Sequence, residues 1–473
     1  MRTDTHYFDV LVIGGGVVGC TILRELTRYQ ASVALVERNP DICEGTSKAN
    51  SAIVHTGFDA PPGSLEAQLL AAARGLWPAV IADLHIPYVQ TGALMLAITP
   101  ADLQAIEHEI IPKAEHNGVL LQRLTREEVL ERAPSVNPEV LGGLLIEDEG
   151  VINPFRTTHA YCENAVLNGA EVFTGETVVA LQVEDQRVSV RTGSGRQFSA
   201  SLVINAAGLW SDEIARLAGD DSFTITPRKG QFMLVEEDHG IEQIILPVPN
   251  RVSKGILVTP TVFGGLMLGP TAEDVDNKGD LATTGAGLQA IRDGLRNLVP
   301  DVARVDSVRQ FAGLRAVGSE SDYIIRSSTA GPRLLHVAGI RSTGLSASPA
   351  LGRYVSGLVR DELGLLLCEN FQPELPEYQV EKQSDEGDVV CLCCSITRGE
   401  ILAALRSPLP PASLDSLKRR TGAMLGQCQG NLCLPRIFTF FQQELERDPL
   451  ALPKHLAQSS PLAARLAHLT QQE

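Results

Sequence analysis

Four groups of residues in this 473-residue chain have types and spacings suited to chemistry. The first is Gly14-Gly15-Gly16-Val17-Val18-Gly19, followed by Glu37 and Arg38. In a G-x-G-x-x-G pattern the first glycine permits a tight turn, the second lets a pyrophosphate approach the backbone, and the third lets helix and strand pack closely. An acid at Glu37 then accepts hydrogen bonds from an adenosine ribose and disfavours a 2′-phosphate there. The second group is Gly45-Thr46-Ser47-Lys48-Ala49-Asn50-Ser51-Ala52-Ile53-Val54-His55, small and polar enough to lie along a flat ligand. His55 has an unperturbed pKa near neutrality, so it is a candidate base or hydrogen-bond partner for a substrate hydroxyl; the bland alternative is a satisfied core histidine. The third group is Lys254 and Arg315, cations in apolar, strand-rich surroundings. Such a cation is costly unless paired, so each needs a substrate carboxylate or phosphate, or a structural acid. Arg315 suits bidentate recognition of either anion. Arg341 and Ser342 are weaker candidates, and Arg228-Lys229 reads as structural. The fourth group is Cys391, Cys393, Cys428 and Cys433, arranged C-x-C and C-x4-C with 34 residues between the pairs. Four thiolates hold structural zinc or an iron–sulfur cluster, and spacing alone does not choose. Cys394, beside the first pair, is a possible substitute ligand.

The elements that must position these residues are legible as patterns. Phe8 to Ile13 reads as a buried strand. The next segment places Cys20, Leu23, Leu26 and Thr27 on one helical face, and Ser32 to Val36 is a second strand ending on Glu37. This βαβ unit points a helix N-terminus, with free N–H groups and a positive dipole end, at the phosphates of a dinucleotide. Residues 200–205 form another buried strand, and Ala206-Ala207-Gly208 after it is a second contact for the same ligand. Residues 64–115 read as mostly helical, interrupted by a strand over Gly92 to Ile98. Thr125-Arg126-Glu127-Glu128 is a capping box, and a helix from near Pro154 runs to 167. Ala170 to Phe173 is a strand, and 177–183 with 187–190 form a meander. From 223 to 325 short strands with Gly/Pro punctuation suggest a mixed sheet, with a helix over 285–298. A helix from Gly344 to about 363 points its N-terminus at whatever precedes it. Residues 369–389, acidic and proline-containing, read as a linker. A compact unit follows at 390–440, with a capping box at Thr397 and helices at 398–406 and 413–421. The tail, 441–473, has a short helix at 461–469.

Composition narrows the function classes. A net charge of −17 argues against nucleic acid, which needs a basic surface. No run of 18 apolar residues predicts a membrane span. The start leads straight into a strand without room for a secretory signal, so a cytoplasmic location is expected. Five of the nine cysteines crowd into the C-terminal part, which suggests metal rather than disulfides.

Residues 7–365 resemble the FAD-dependent glycerol-3-phosphate dehydrogenase group within the D-amino-acid-oxidase-like flavoenzymes. The resemblance rests on Gly14 to Gly19 with Glu37, the segment 45–55, Asn205-Ala206-Ala207-Gly208, Pro227-Arg228-Lys229-Gly230-Gln231, the segment 254–261, Ala312-Gly313-Leu314-Arg315 and Ala338-Gly339-Ile340. Residues 390–436 resemble the small [2Fe-2S] domain of bacterioferritin-associated ferredoxin, through C-x-C, Thr-x-Gly-Glu and Cys-Gln-Gly-x-x-Cys-x-Pro-Arg.

The resemblance implies an α/β chain: a Rossmann-like FAD domain with a mixed-sheet substrate domain, plus a small C-terminal helical [2Fe-2S]-binding domain. Within residues 1–368 the FAD part is expected at about 1–90, 150–215 and 326–368, and the substrate part at about 91–149 and 216–325. FAD would lie against Gly14, Gly16, Gly19, Glu37, Arg38, Thr46, Ser47, Asn50, Val178, Ala207, Gly208, Gly313, Gly339, Gly344, Leu345 and Ser346. Cys391, Cys393, Cys428 and Cys433 would hold the cluster, which the adjoining flavin favours over zinc. His55, Lys254 and Arg315 would act on a small anionic hydroxy compound, foremost glycerol 3-phosphate. Electrons would pass to a quinone or a redox partner protein, with peripheral membrane association through a partner and oligomerisation left open. The rivals are a 2-hydroxyglutarate-like dehydrogenase, an amine or imino-acid dehydrogenase acting on proline-like or N-methyl amino acids, and a non-catalytic electron-transfer subunit.

Overall fold

The computed structural model describes residues 5–249, 255–376, 387–455 and 459–462. Lys254 and most of the expected 461–469 helix lie outside the described residues.

Thr5–Ile13 is the axis of an eight-stranded sheet. It runs parallel to Gln197–Asn205 on one side and to Val33–Glu37 on the other, and Glu171–Thr174 extends the parallel set. Val10, Leu11 and Val12 have no exposed surface, as expected of a strand covered on both faces. The helix Val17–Leu26 packs on Pro154–Leu167 and Gly344–Leu363. Val178–Val183 and Val188–Thr192 form the expected antiparallel meander.

A nine-stranded sheet forms the second layer system, and Ile225–Val235 pairs with Arg309–Gly318 over ten residues. A three-stranded sheet joins the two systems: Ile53–Val54 pairs with Gly150–Ile152, which pairs in turn with Tyr88–Val89. It carries the segment ending at His55.

Both capping boxes form. Thr125 and Glu128 exchange their side-chain-to-backbone hydrogen bonds at 2.7 and 3.3 Å, and Thr397 and Glu400 do so at 2.8 and 3.2 Å. Two expectations need correction. The segment read as a linker from 369 is fastened along its start: Phe371 lies 4.1 Å from the Arg28 guanidinium, and Arg24 donates to Pro373 O at 3.0 Å. Arg24 is almost fully buried and needs those acceptors. The C-terminal unit also does not end at 440. Leu434–Leu445 is a helix with Pro435 in its first turn, and it buries Ile437, Phe438, Phe440 and Phe441. The dense cysteine motif before it drew the boundary too early.

Candidate active site and cluster site

The N-terminal turn is built by two close approaches. Gly14 has φ +112°, and a Cβ there would sit 2.5 Å from Ala206 O, so the loop after the Gln197–Asn205 strand presses directly on the turn. A Cβ on Gly19 would lie 1.9 Å from Gly14 O, which is the helix-on-strand packing the motif implies. Gly16 caps the helix without a side-chain acceptor of its own, and Val17 N donates instead to Ser47 Oγ at 2.9 Å. The segment 45–50 therefore lies across the helix N-terminus. Asn50 ties it together by donating to Ser47 O at 2.9 Å, and Thr46 Oγ1 fastens it to Leu314 O at 2.6 Å.

Both carboxylate oxygens of Glu37 are held by protein donors. Oε2 accepts from Gly15 N at 2.7 Å, and Oε1 accepts from Asn39 N at 2.9 Å and Asn39 Nδ2 at 2.6 Å. Burial pushes its carboxyl up, against the pull of those N–H groups. The residue lines the cavity described next. Arg38 lies over the Trp210 ring at 4.1 Å and is held there as a cavity wall.

These elements enclose a cavity of ≈ 690 Å³, the size of an ordinary cofactor or substrate site. The expected cofactor residues line it, Gly19 and Ser346 excepted. Gly19 is spent on packing against Gly14. Ser346 is buried beneath the wall, where its Oγ accepts from His55 N at 2.9 Å and donates to Ile53 O at 3.1 Å, so it supports the histidine backbone. Trp77 Nε1 in turn donates to Ser346 O at 2.9 Å. Gly344 and Leu345 bring the N-terminus of their helix to the cavity with no side-chain cap, leaving N–H groups and a positive dipole end available there.

His55 and Arg315 both line this cavity. The ladder Ile53↔Val151 and Val54↔Gly150 brings His55 opposite Glu149, and His55 Nδ1 lies 3.2 Å from Glu149 Oε1. Glu149 is fully buried; the sequence reading missed it because an acid before a three-residue strand carries no local signal. Arg315 reaches only Thr271 O, at a long 3.4 Å from each terminal nitrogen, and among the described residues no acid pairs with it. Burial, then the neighbouring Arg228, pushes its guanidinium down to about 10. Arg228 and Lys229 are compensated, by Asp274 at 2.6 Å and Asp280 at 2.8 Å, as a structural pair should be. Arg341 and Ser342 also reach the cavity wall.

In the C-terminal unit, Cys391 and Cys433 are buried, Cys393 is exposed, and Cys394 and Cys428 lie between. Cys428 pairs with Cys393, and Cys433 and Cys394 each approach Cys391. The Leu432 N–H first, then the Cys393 thiol and the Gly430 N–H, pull the Cys428 thiol down, a setting that favours a thiolate. Burial, then Cys391, pushes the Cys433 thiol up to about 12. The four expected thiols, with Cys394 beside them, lie together in this one small unit, a donor set that fits a two-iron cluster, which takes two thiolates at each iron.

The unit is anchored beside the flavin-side loop. Arg420 pairs with Asp41, with one contact at 3.1 Å, and Arg419 pairs with Glu44, both acids preceding the segment 45–50. Burial alone would raise Asp41; Arg420 and His159 hold it well below the usual carboxylate range.

Residues 9–358 match the family described as FAD dependent oxidoreductase, and residues 389–442 match the BFD-like [2Fe-2S] binding domain. The chain is 36% identical over 455 residues to glycerol 3-phosphate dehydrogenase of Caloramator mitchellensis, covering 93% of this chain and 94% of that protein. It is 31% identical over 361 residues to glycerol 3-phosphate oxidase of Mycoplasma pneumoniae, covering 73% of this chain and 92% of that protein. Among solved structures, FAD-bound L-α-glycerophosphate oxidase from Mycoplasma pneumoniae superposes with a TM-score of 0.75 at 29% identity, over 79% of this chain and all of that one. With a turn, cavity and paired thiols that fit both cofactors, the chain belongs to the FAD-dependent oxidoreductases, is glycerol-3-phosphate dehydrogenase-like, and carries a C-terminal [2Fe-2S] domain.

Proposed function

We propose that this protein oxidises glycerol 3-phosphate to dihydroxyacetone phosphate and delivers the electrons, by way of the C-terminal unit, to a quinone or a redox partner protein. The observation that carries the substrate assignment is Arg315: a cation on the cavity wall without an acid among the described residues, facing the same space as His55. A half-buried cation of that kind is stabilised by an anionic ligand, and its planar fork matches a phosphate. Bound FAD supplies hydride acceptance and a bound [2Fe-2S] cluster supplies one-electron transfer.

The chain's own residues do the rest. Arg315 orients the phosphate and so presents the adjacent carbinol to His55. His55 takes the hydroxyl proton as the carbon–hydrogen bond breaks. The uncapped N-terminus of Gly344–Leu363 offers N–H groups and a positive dipole end to negative charge developing in the cavity. Gly14, Gly16, Thr46, Ser47 and Asn50 cradle the dinucleotide, and Cys391, Cys393, Cys428 and Cys433 hold the cluster. Among the described residues no helix is long and apolar enough to cross a membrane. We assign the protein to the cytoplasm, with any membrane contact made through its acceptor.

The test is anaerobic bleaching of the flavin absorbance against glycerol 3-phosphate, 2-hydroxy acids and secondary amines. Fast bleaching by glycerol 3-phosphate supports the assignment. Selective bleaching by a 2-hydroxy acid or an amine replaces it, and bleaching only by a reduced partner protein marks an electron-transfer subunit.

A further inference from the structure

We infer that Glu149 is a positioning residue for the base. It fixes His55 in the tautomer with the proton on Nδ1, leaves Nε2 open to the substrate hydroxyl, and balances the charge His55 acquires. The inference rests on the assignment of His55 as the base.

The placement follows from the small sheet. Its antiparallel register, Ile53↔Val151 and Val54↔Gly150, makes residues 55 and 149 the next facing pair, just where the ladder ends. Gly92 N donates to Glu149 O at 2.8 Å, so the acid's backbone is held from the other side as well. Ser346 Oγ holds the backbone N–H of His55 at 2.9 Å. Backbone anchors on both residues therefore aim the two side chains at one another, and the imidazole has little freedom to swing away.

The electrostatics points the same way. Oε1 of Glu149 lies 3.2 Å from His55 Nδ1 and accepts from Thr56 N and Thr56 Oγ1 at 3.3 Å each. Oε2 is buried with no partner among the described residues. A fully buried carboxylate so thinly compensated is costly unless a cation stands beside it. The charged and titratable groups around it do not supply one. Asp148 is the neighbouring acid. Tyr88 is a phenol pushed up by burial, then by Asp148 and Glu149. Arg74 is the nearby cation, but it donates to the carbonyls of Thr56, Asn117 and Gly118 rather than to the carboxylate. Among the described residues, only His55, on gaining a proton, places a positive charge against Glu149. A carboxylate on Nδ1 forces that nitrogen to be the donor and makes Nε2 the acceptor.

The proton and electron count closes. Substrate O–H breaks and its proton goes to His55 Nε2. With FAD bound, the carbinol C–H would leave as hydride, two electrons and a proton, to the oxidised flavin, and the C–O bond would become a carbonyl. His55 is then an imidazolium paired with Glu149, and it returns the proton to solvent before the next turnover.

The test uses the FAD-loaded full chain. Glu149→Gln keeps the shape and an acceptor oxygen but removes the charge. Expected are unchanged FAD content, a substrate half-saturation within about twofold, and flavin reduction slowed on the order of 10²-fold, the lower end for a positioned proton-transfer group. The acid limb of the rate profile should move to lower pH, because the imidazolium has lost its counter-charge. Glu149→Asp should restore the limb. In the unmodified protein, 15N-histidine NMR should show a Nδ1-protonated tautomer for one resonance that disappears in His55→Gln. A wild-type rate and pH profile in Glu149→Gln, or an Nε2-protonated His55 in the native protein, overturns the inference. Wild-type flavin reduction in His55→Gln overturns instead the assignment of the base, and so separates the two.

Discussion

Arg309 Nη2 donates to Leu425 O at 2.6 Å, joining the loop of the C-terminal unit to the strand that leads into the flavin cavity. Leu425 precedes Gly426, which packs against the Cβ of Cys393, and Gln427 donates to Glu236 Oε2 at 2.7 Å. Side chains alternate along a strand, so Arg309, Phe311, Gly313 and Arg315 share one face. Phe311 stacks on Phe232 with centroids 4.8 Å apart and planes 11° apart, and Phe232 lines the cavity. From Arg309 to Gly313 the strand spans about 13 Å at roughly 3.3 Å per residue.

That contact gives the first expectation. Arg309→Ala should keep FAD, iron and substrate-driven flavin bleaching, while electron delivery to a one-electron acceptor slows several-fold. Stopped-flow traces of flavin and acceptor measure both. Equal acceptor rates in the variant and the parent would show that this contact does not guide the outlet.

Arg315→Ala should lose on the order of 2–5 kcal/mol in kcat/KM for a phosphate substrate, as for a charge pair desolvated on binding and broken on one side. FAD content should be unchanged. Equal kcat/KM would show that Arg315 stabilises the strand pair and leaves the anion to another group.

Gly19→Ala tests the turn. An added Cβ meets Gly14 O at 1.9 Å, so helix and strand must separate. The expected cost is about 1–3 kcal/mol, read as a lower Tm together with weakened FAD retention. A Tm equal to that of the parent would mean that the turn is looser than this packing requires.

Asp41 and Arg420 predict a pH signature. The folded pKa of Asp41 is depressed, so its contribution to stability is present above its unfolded value and is lost only as pH falls toward the folded one. The docked unit should therefore hold through mildly acidic pH. Arg420→Ala leaves Asp41 buried with only the His159 ring and the Ile42 N–H beside it, at a cost of about 3–5 kcal/mol. Desolvation would then raise its folded pKa, so the loss of stability should shrink as pH falls toward the unfolded value. Melts at pH 5 and pH 7.5 check the sign.

Cys428→Ser should lower iron and acid-labile sulfide together while leaving flavin bleaching by substrate nearly intact. Metal analysis of anaerobically purified parent protein decides the donor chemistry. Zinc without sulfide would make the unit a structural module.

Much of this was legible along the chain because it is local. The turn Gly14 to Gly19, the acid Glu37, both capping boxes and the paired cysteines work over a few residues, and their spacing states their physics. The strands were legible because burial on both faces forces apolar runs, as at Val10, Leu11 and Val12. What needed tertiary structure were the relations between distant residues. Glu149 finds His55 only through the register of a short ladder, a pairing that no period announces. Ser346 reads like a cavity residue, yet it holds the His55 backbone from beneath the wall, because the helix it opens packs there. The start of the supposed linker is fixed by the needs of Arg24, buried some 350 positions earlier. The sequence by itself determined which chemistry is available, since residue type and local spacing set which groups the chain can hold. Only the fold decided which acid faces which base, because burial and register are properties of the packed chain.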